Sequence, residues 1–415
     1  MIDNLYELLK GIKAPKDLED YHSFLSPLRL NTLTKQSESF QKLVNQFMEL
    51  TQGNRRSDHR QKLREHWELI LLNLSYAVFQ RRWILVPLSK RAFMNDPKVK
   101  AMGLSYSSMQ EVIKYLHNER LIKLKKGALY SEGAKRTRIF PEKKLEAKIW
   151  KYFLDVEQPI EPPYVAIKTD DYRWSELIND PQFSHTDVDE MTQINEFLKD
   201  HQWACKGPVV LRYTGDALGG GRLFTPYQNL PDRRVRIRIY TLIDNKPLCE
   251  VDFNANHLRL QLAVLANEDA GLGPYEEICE IAEIYDRETC KAFITVAMGA
   301  DDRTKAANAL RQQGMNTKVF EAFEAAALER FPKVSLFTGW THQAQNLEGQ
   351  ILKDVMLKGV KENIVTLPVH DAVAVQRRHA KWAEEAMKEA WQFHTGVKFE
   401  PVLKVDEGIE KGFRL

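Results

Sequence analysis

Apolar residues Trp67, Ile70, Leu71, Leu74 and Val78 recur at helical spacing between Asp58 and Arg82, which predicts a long helix with one buried face. Before it, residues 1 to about 55 read as short amphipathic helices broken near Pro15 and Pro27. After it, Ser108 and Glu111 stand at capping-box spacing, and Met109, Val112, Ile113 and Leu116 form one stripe. Leu121 to Lys126 then alternates as a strand, Gly127 makes a turn, and Thr137 to Phe140 supplies a returning partner. Pro159, Pro162 and Pro163 end a helix near Leu154, and a further helix is expected over Val188–Leu198. An apolar, partly β-branched run (Tyr240, Leu242, Ile243, Leu248, Val251) ends at Asp252. A helix starts at about Asn256, with Leu258, Leu262 and Leu265 on one side. Ile364 to Gln376 reads as two short apolar strands with His370-Asp371 at the bend.

A chain of 415 residues is too long for one ordinary core, so two or three domains are expected. The formal charge of +3 is nearly balanced, so any affinity for nucleic acid must come from local patches. Cys205, Cys249, Cys279 and Cys290 form no CxxC pair and read as reduced thiols of a cytoplasmic protein. No stretch is apolar enough to predict a membrane span, and the first residues lack the apolar run of a signal peptide.

Asp252 and Asp371 are the candidate chemical groups. Each stands where a rigid apolar strand ends, and two such carboxylates brought together suit a divalent cation such as Mg²⁺. Local basic patches are the other candidates. Between Asn118 and Lys148 the chain carries ten Lys/Arg and four Asp/Glu. The helix, helix and basic hairpin of residues 60–145 resemble a winged helix, in which Lys123, Lys125 and Lys126 would meet DNA phosphates. A solvated, purely structural hairpin fits the same pattern. Further on, Gly219-Gly220-Gly221 precedes Arg222, with Asn229, Arg236 and Arg238 beyond it. The run lacks the Lys-Ser/Thr of a phosphate loop and reads better as a backbone turn that brings Arg222 to a polyanion.

The order of these motifs resembles the family A DNA polymerases and the related single-subunit RNA polymerases. The shared order is GRL, Asn229, the strand carrying Asp252-Phe253 with His257, Leu258 and Arg259, then Arg287 and Lys291, Met298-Gly299, Gln345, and finally Val369-His370-Asp371. The resemblance covers about residues 205–415. It implies an α+β right-hand polymerase, with an antiparallel-sheet palm and helical fingers, preceded by a helical N-terminal region with a winged helix. The implied divisions are N-terminal helices over 1–58, a winged-helix-like DNA-binding domain over 59–148, a linker or thumb-like region over 149–204, palm over 205–266, fingers over 267–330 and palm again over 331–415. Asp252 and Asp371 would be the catalytic carboxylates, holding two Mg²⁺ ions with Mn²⁺ as a substitute. His257, Arg287, Lys291, Met298 and Gly299 would bind nucleotide. Arg222, Asn229, Arg236, Arg259, Gln345 and His370 would line the primer-template.

Several residues depart from the family's pattern. Lys291 to Met298 is seven residues rather than eight, Met replaces the family's Tyr, and Ala372 follows His370-Asp371 where the DNA polymerases have Glu. His257 stands where a Glu crowds the ribose 2′-hydroxyl in those polymerases, so sugar choice is expected to be relaxed or set elsewhere. Each motif alone has a plainer reading. Asp371 forms turns, Asp252 caps helices, Arg287 and Lys291 make a solvated helix face, Met298 is core and His257 is a polar cap. Order and spacing together favour a template-directed DNA polymerase without proofreading, with primer synthesis as an added activity. Its partners would be DNA primer-template or single-stranded DNA, nucleoside triphosphates and a replication accessory protein, with no membrane. The short layout suggests replication of a mobile element. The competing expectations are an RNA-synthesising primase or single-subunit RNA polymerase, and a non-catalytic DNA-binding protein with a degenerate palm.

Overall fold

Helices α1 (Glu38–Thr51) and α2 (Ser57–Gln80) pack through Phe47 and Trp67, whose rings stack with centroids 4.7 Å apart. The expected stripe of α2, Trp67, Ile70, Leu71, Leu74 and Val78, is buried throughout. The computed structural model describes residues 22–24, 38–80, 82–95, 104–130, 133–135, 137–154, 159–168, 174–176, 185–214, 216–230 and 236–408. The short helices expected before residue 38 therefore lie outside the described residues. The one exception is a correction: His22–Phe24 is a strand, β1, running parallel to β2 (Trp83–Leu85).

After α3 (Lys90–Asn95), helix α4 (Tyr106–Asn118) starts three residues earlier than the capping-box spacing predicts. Ser105 caps it, accepting from the Ser108 backbone N–H at 3.4 Å. Strands β3 (Ile122–Lys125) and β6 (Arg138–Pro141) pair antiparallel, as their patterns predict. A small hairpin, β4 (Ala128–Tyr130) and β5 (Gly133–Lys135), lies between them in sequence. The first sheet has the order β1-β2-β6-β3 and is followed by α5 (Lys143–Leu154). Next come β7 (Val165–Lys168), β8 (Trp174–Glu176), α6 (His185–Lys199), β9 (Val210–Thr214) and β10 (Asp216–Phe224). Their sheet has the order β10-β9-β7-β8.

The third sheet draws on two distant segments. Strands β11 (Leu242–Ile243) and β12 (Lys246–Phe253) precede helix α7 (Asn256–Ala266). Four helices then follow: α8 (Pro274–Ile281), α9 (Arg287–Gly299), α10 (Arg303–Gln312) and α11 (Thr317–Arg330). The chain continues through the long helix α12 (Thr341–Glu362), β13 (Thr366–Val369), β14 (Ala372–Gln376), α13 (Ala380–Thr395) and β15 (Leu403–Glu407). Strand β12 is central, antiparallel to β14 on one edge and to β15 on the other. Leu248, Cys249, Val251 and Phe253 are buried, which accounts for its nearly continuous apolar sequence. Helix α7 buries Leu258 and Leu262 as expected, but Leu265 is 54% exposed near its C-terminus.

The glycine run is not a loop. Gly219 to Gly221 lie inside β10, where pairing with β9 is irregular and Gly220 and Gly221 take φ +75° and +71°. Helix α12 crosses β10 at Gly349, where an added Cβ would fall inside the Gly221 carbonyl oxygen. Gly221 and Gly349 serve this close helix–strand approach, whereas Gly220 lies against Thr214 of β9. Lower on α12, the buried Lys353 ammonium pairs with Asp187 and Glu190 of α6, and the Tyr213 hydroxyl donates to Asp187. These bonds tie α12 to the second sheet. All four cysteines are buried and none is in a disulfide, and among the described residues no helix is long and apolar enough to cross a membrane.

Candidate active site

Strand register brings the two candidate carboxylates together. Asp252 sits opposite Ala372 near the end of β12, and Asp371 immediately precedes Ala372 in the two-residue turn between β13 and β14. His370 takes φ +58° in that turn, and the Phe253 N–H donates to the Asp371 carbonyl at 3.4 Å. Both side chains are half-buried. Burial, followed by repulsion from Asp371, pushes the Asp252 carboxyl up to about 7, while Lys291 on α9 pulls it back down. Burial and the charge of Glu348 push Asp371 up to about 6. Two like charges this close titrate as a pair.

Glu348 is the residue that sequence reading missed. It is fully buried on α12. Burial favours its neutral form, but His257 and Arg222 together hold it below the ordinary carboxylate range. Arg222 Nε donates to Oε1 at 2.6 Å, while His257 Nε2 and the Asn256 amide each lie 3.3 Å from Oε2. The Trp340 indole N–H donates to the His257 carbonyl at 3.2 Å, fixing the start of α7. A signal was present in the sequence. Glu348 occupies the buried stripe of Ala344, Ile351, Leu352 and Val355, and an acid on such a stripe requires buried partners.

Strand pairing brings Asp252 and Asp371 together, the charges of Lys291, Arg222 and His257 act on them, and several other predicted residues are engaged elsewhere. Met298 is buried in the core of α9 among Phe293, Ile294 and Ala297, so it offers no face to a nucleotide. α9 is unbroken from Arg287 to Gly299 and carries Met298 inward. Gly299 faces Thr341, which an added Cβ would crowd. Arg259 is buried, and its guanidinium donates to the carbonyls of Asn254 and Gly271. It braces the loop after α7. Arg236 is engaged in a two-bond pair with Asp406. Arg287 bonds Glu276 at 2.6 Å and lies over the Tyr275 ring. Asn229 is exposed on the turn after β10, Gln345 is half-buried one turn before Glu348, and His370 is exposed. Lys123, Lys125 and Lys126 belong to the first sheet region, with Lys125 over the Trp83 ring at 5.1 Å and exposed together with Lys126.

The carboxylate pair fits a hard cation. Asp252 Oδ1 is buried and has no hydrogen-bond partner among the described residues, which is costly for an ionised oxygen. Two carboxylates with such an orphaned oxygen suit Mg²⁺ or Mn²⁺. A pH dependence follows. Both carboxyls are raised above the ordinary 3.8, so their contribution to stability is present below about pH 4 and lost as pH rises through 6 to 7. A cation relieves that repulsion only where the carboxyls are ionised. Adding Mg²⁺ should therefore raise the melting temperature more at pH 8 than at pH 5, as read by differential scanning fluorimetry. Equal shifts at both values would remove the pair as a cation site.

No protein-family model matches the chain, and no curated protein matches it in sequence.

Proposed function

We propose that the protein is a template-directed nucleotidyltransferase, a DNA-dependent DNA polymerase of right-hand type. The sheet around β12 would be the palm, α8 to α11 the fingers, and residues 59–148 a winged-helix DNA-binding part. The observation that carries this reading is the convergence of Asp252 and Asp371 from two segments around an unbonded Asp252 oxygen, with Lys291 of the helical segment beside them. Metal ions bound there would neutralise charge on a triphosphate and hold its oxygens in line. Of the chain's own groups, Lys291 adds a cation on the α9 side of the carboxylates, and Arg287, one helical turn earlier, would add a second only by exchanging its bond to Glu276 for one to phosphate. A triphosphate at this site would meet Lys291 first. The test is extension of a labelled primer-template with Mg²⁺ or Mn²⁺, with each nucleotide type, and repeated without primer. Addition of ribonucleotides with no addition of deoxyribonucleotides would move the assignment to an RNA-making enzyme. No addition under any condition would reject the reading.

The basic hairpin has its own test. Replacing Lys123, Lys125 and Lys126 with Ala should weaken DNA binding about equally across sequences and reduce its salt dependence by up to roughly three phosphate contacts. Fluorescence anisotropy against salt concentration reads this directly. An unaltered slope would return the hairpin to a structural role.

A further inference from the structure

We infer that Glu348 is a positioning residue whose task is to divert the Arg222 guanidinium from Asp371, so that the carboxylate pair stays open to a divalent cation. The inference rests on the proposed cation site and adds to it a residue that touches neither cation nor substrate.

The observations are geometric and electrostatic. Arg222 leaves β10 beside Gly221, directly beneath the crossing of α12, and its charge acts on Asp371. An arginine within reach of a half-buried carboxylate ordinarily pairs with it, because a fork of N–H donors matches two carboxylate oxygens. Here the guanidinium is instead bonded through Nε to Glu348 at 2.6 Å. Glu348 can outcompete Asp371 because it is fully buried and its second oxygen is held by His257 and Asn256. It cannot retreat either. Its neighbour Gly349 lies against the Gly221 carbonyl, and α12 is anchored through Lys353 to Asp187 and Glu190. Asp252 Oδ1 meanwhile accepts no hydrogen bond from the described residues. The carboxylate pair thus has basic groups nearby while one of its oxygens stays uncapped.

Without the Glu348 charge, the Arg222 guanidinium loses its bonded partner, and Asp371 is a carboxylate on which its charge already acts. The test is a cycle of Glu348→Gln, Arg222→Gln and the double variant, read by Mn²⁺ binding in electron paramagnetic resonance titrations of the full chain. Circular dichroism confirms folding. Glu348→Gln should weaken Mn²⁺ binding by about tenfold or more. Arg222→Gln alone should change it little, and the double variant should recover most of the loss. Strong non-additivity is the signature, because a simple charge effect gives two roughly additive steps of opposite sign. Additive effects, or a Glu348→Gln protein that binds Mn²⁺ as wild type does, would overturn the inference. So would a Glu348→Gln protein that does not fold if Glu348→Asp, which keeps the charge, fails to restore folding together with Mn²⁺ affinity. Failure of wild type itself to bind Mn²⁺ would instead reject the cation site and the function proposed from it.

Discussion

Asp252→Asn and Asp371→Asn should each lower nucleotide addition by about a thousandfold while leaving DNA binding largely intact. A lost metal carboxylate removes several kcal/mol of charge stabilisation, and roughly 4 kcal/mol corresponds to that factor. The same substitutions should make the cation-free protein more stable at pH 8. In wild type, two half-buried like charges repel at that pH, and each unit by which a carboxyl is raised represents about 1.4 kcal/mol of disfavoured ionisation. Removing one charge should relieve on the order of 1–2 kcal/mol, and Mg²⁺ should then add little further stability. Opposite movement of activity and stability is the mark of residues kept for chemistry rather than for folding. Single-turnover extension and urea unfolding measure the two quantities. A near wild-type extension rate in either variant would remove these residues from the reaction.

Gly349→Ala should have the largest effect on the fold itself. Its methyl group would overlap the Gly221 carbonyl oxygen, a backbone atom that cannot rotate away. Helix α12 cannot lift off without disturbing the buried Lys353 pairs and the Glu348 cluster. The cost should therefore reach or exceed the top of the roughly 1–3 kcal/mol range for inserted methyl groups. Gly396→Ala is the control. That residue has φ +72° with nothing near its would-be Cβ, so it should lose only about 1 kcal/mol from backbone strain. Urea midpoints compare the two. Equal losses would mean that the helix–strand crossing has slack.

The pair of carboxylates was legible in the sequence because strand pattern and turn chemistry are local. The apolar run ending at Asp252 and the bend at His370-Asp371 specify their own surroundings. The partners of Glu348 were not legible. They come from β10 and α7, and only tertiary packing brings these to α12. Arg259 and Met298 show a related limit. Motif spacing puts them beside functional positions, but their burial is decided by the loop after α7 and by the packing of α9. The glycine run misled for a similar reason. Its conformational freedom serves a helix far along the chain, and nothing within the run itself reveals that.

The position of β12 bears on how the molecule is made. Its two edges are covered by strands that the ribosome delivers long afterwards, β14 and then β15, with all of α8 to α12 synthesised in between. A nascent chain therefore exposes an apolar strand with open edges through much of its elongation, the condition in which chains aggregate or recruit chaperones. Pairing across so wide a sequence gap is slow to form. The described residues before 155 bury Phe47 and Trp67 against each other through contacts close in sequence, so that part would be able to settle first. Newly made chains would then carry a packed first part well before residue 371 emerges to complete the carboxylate pair.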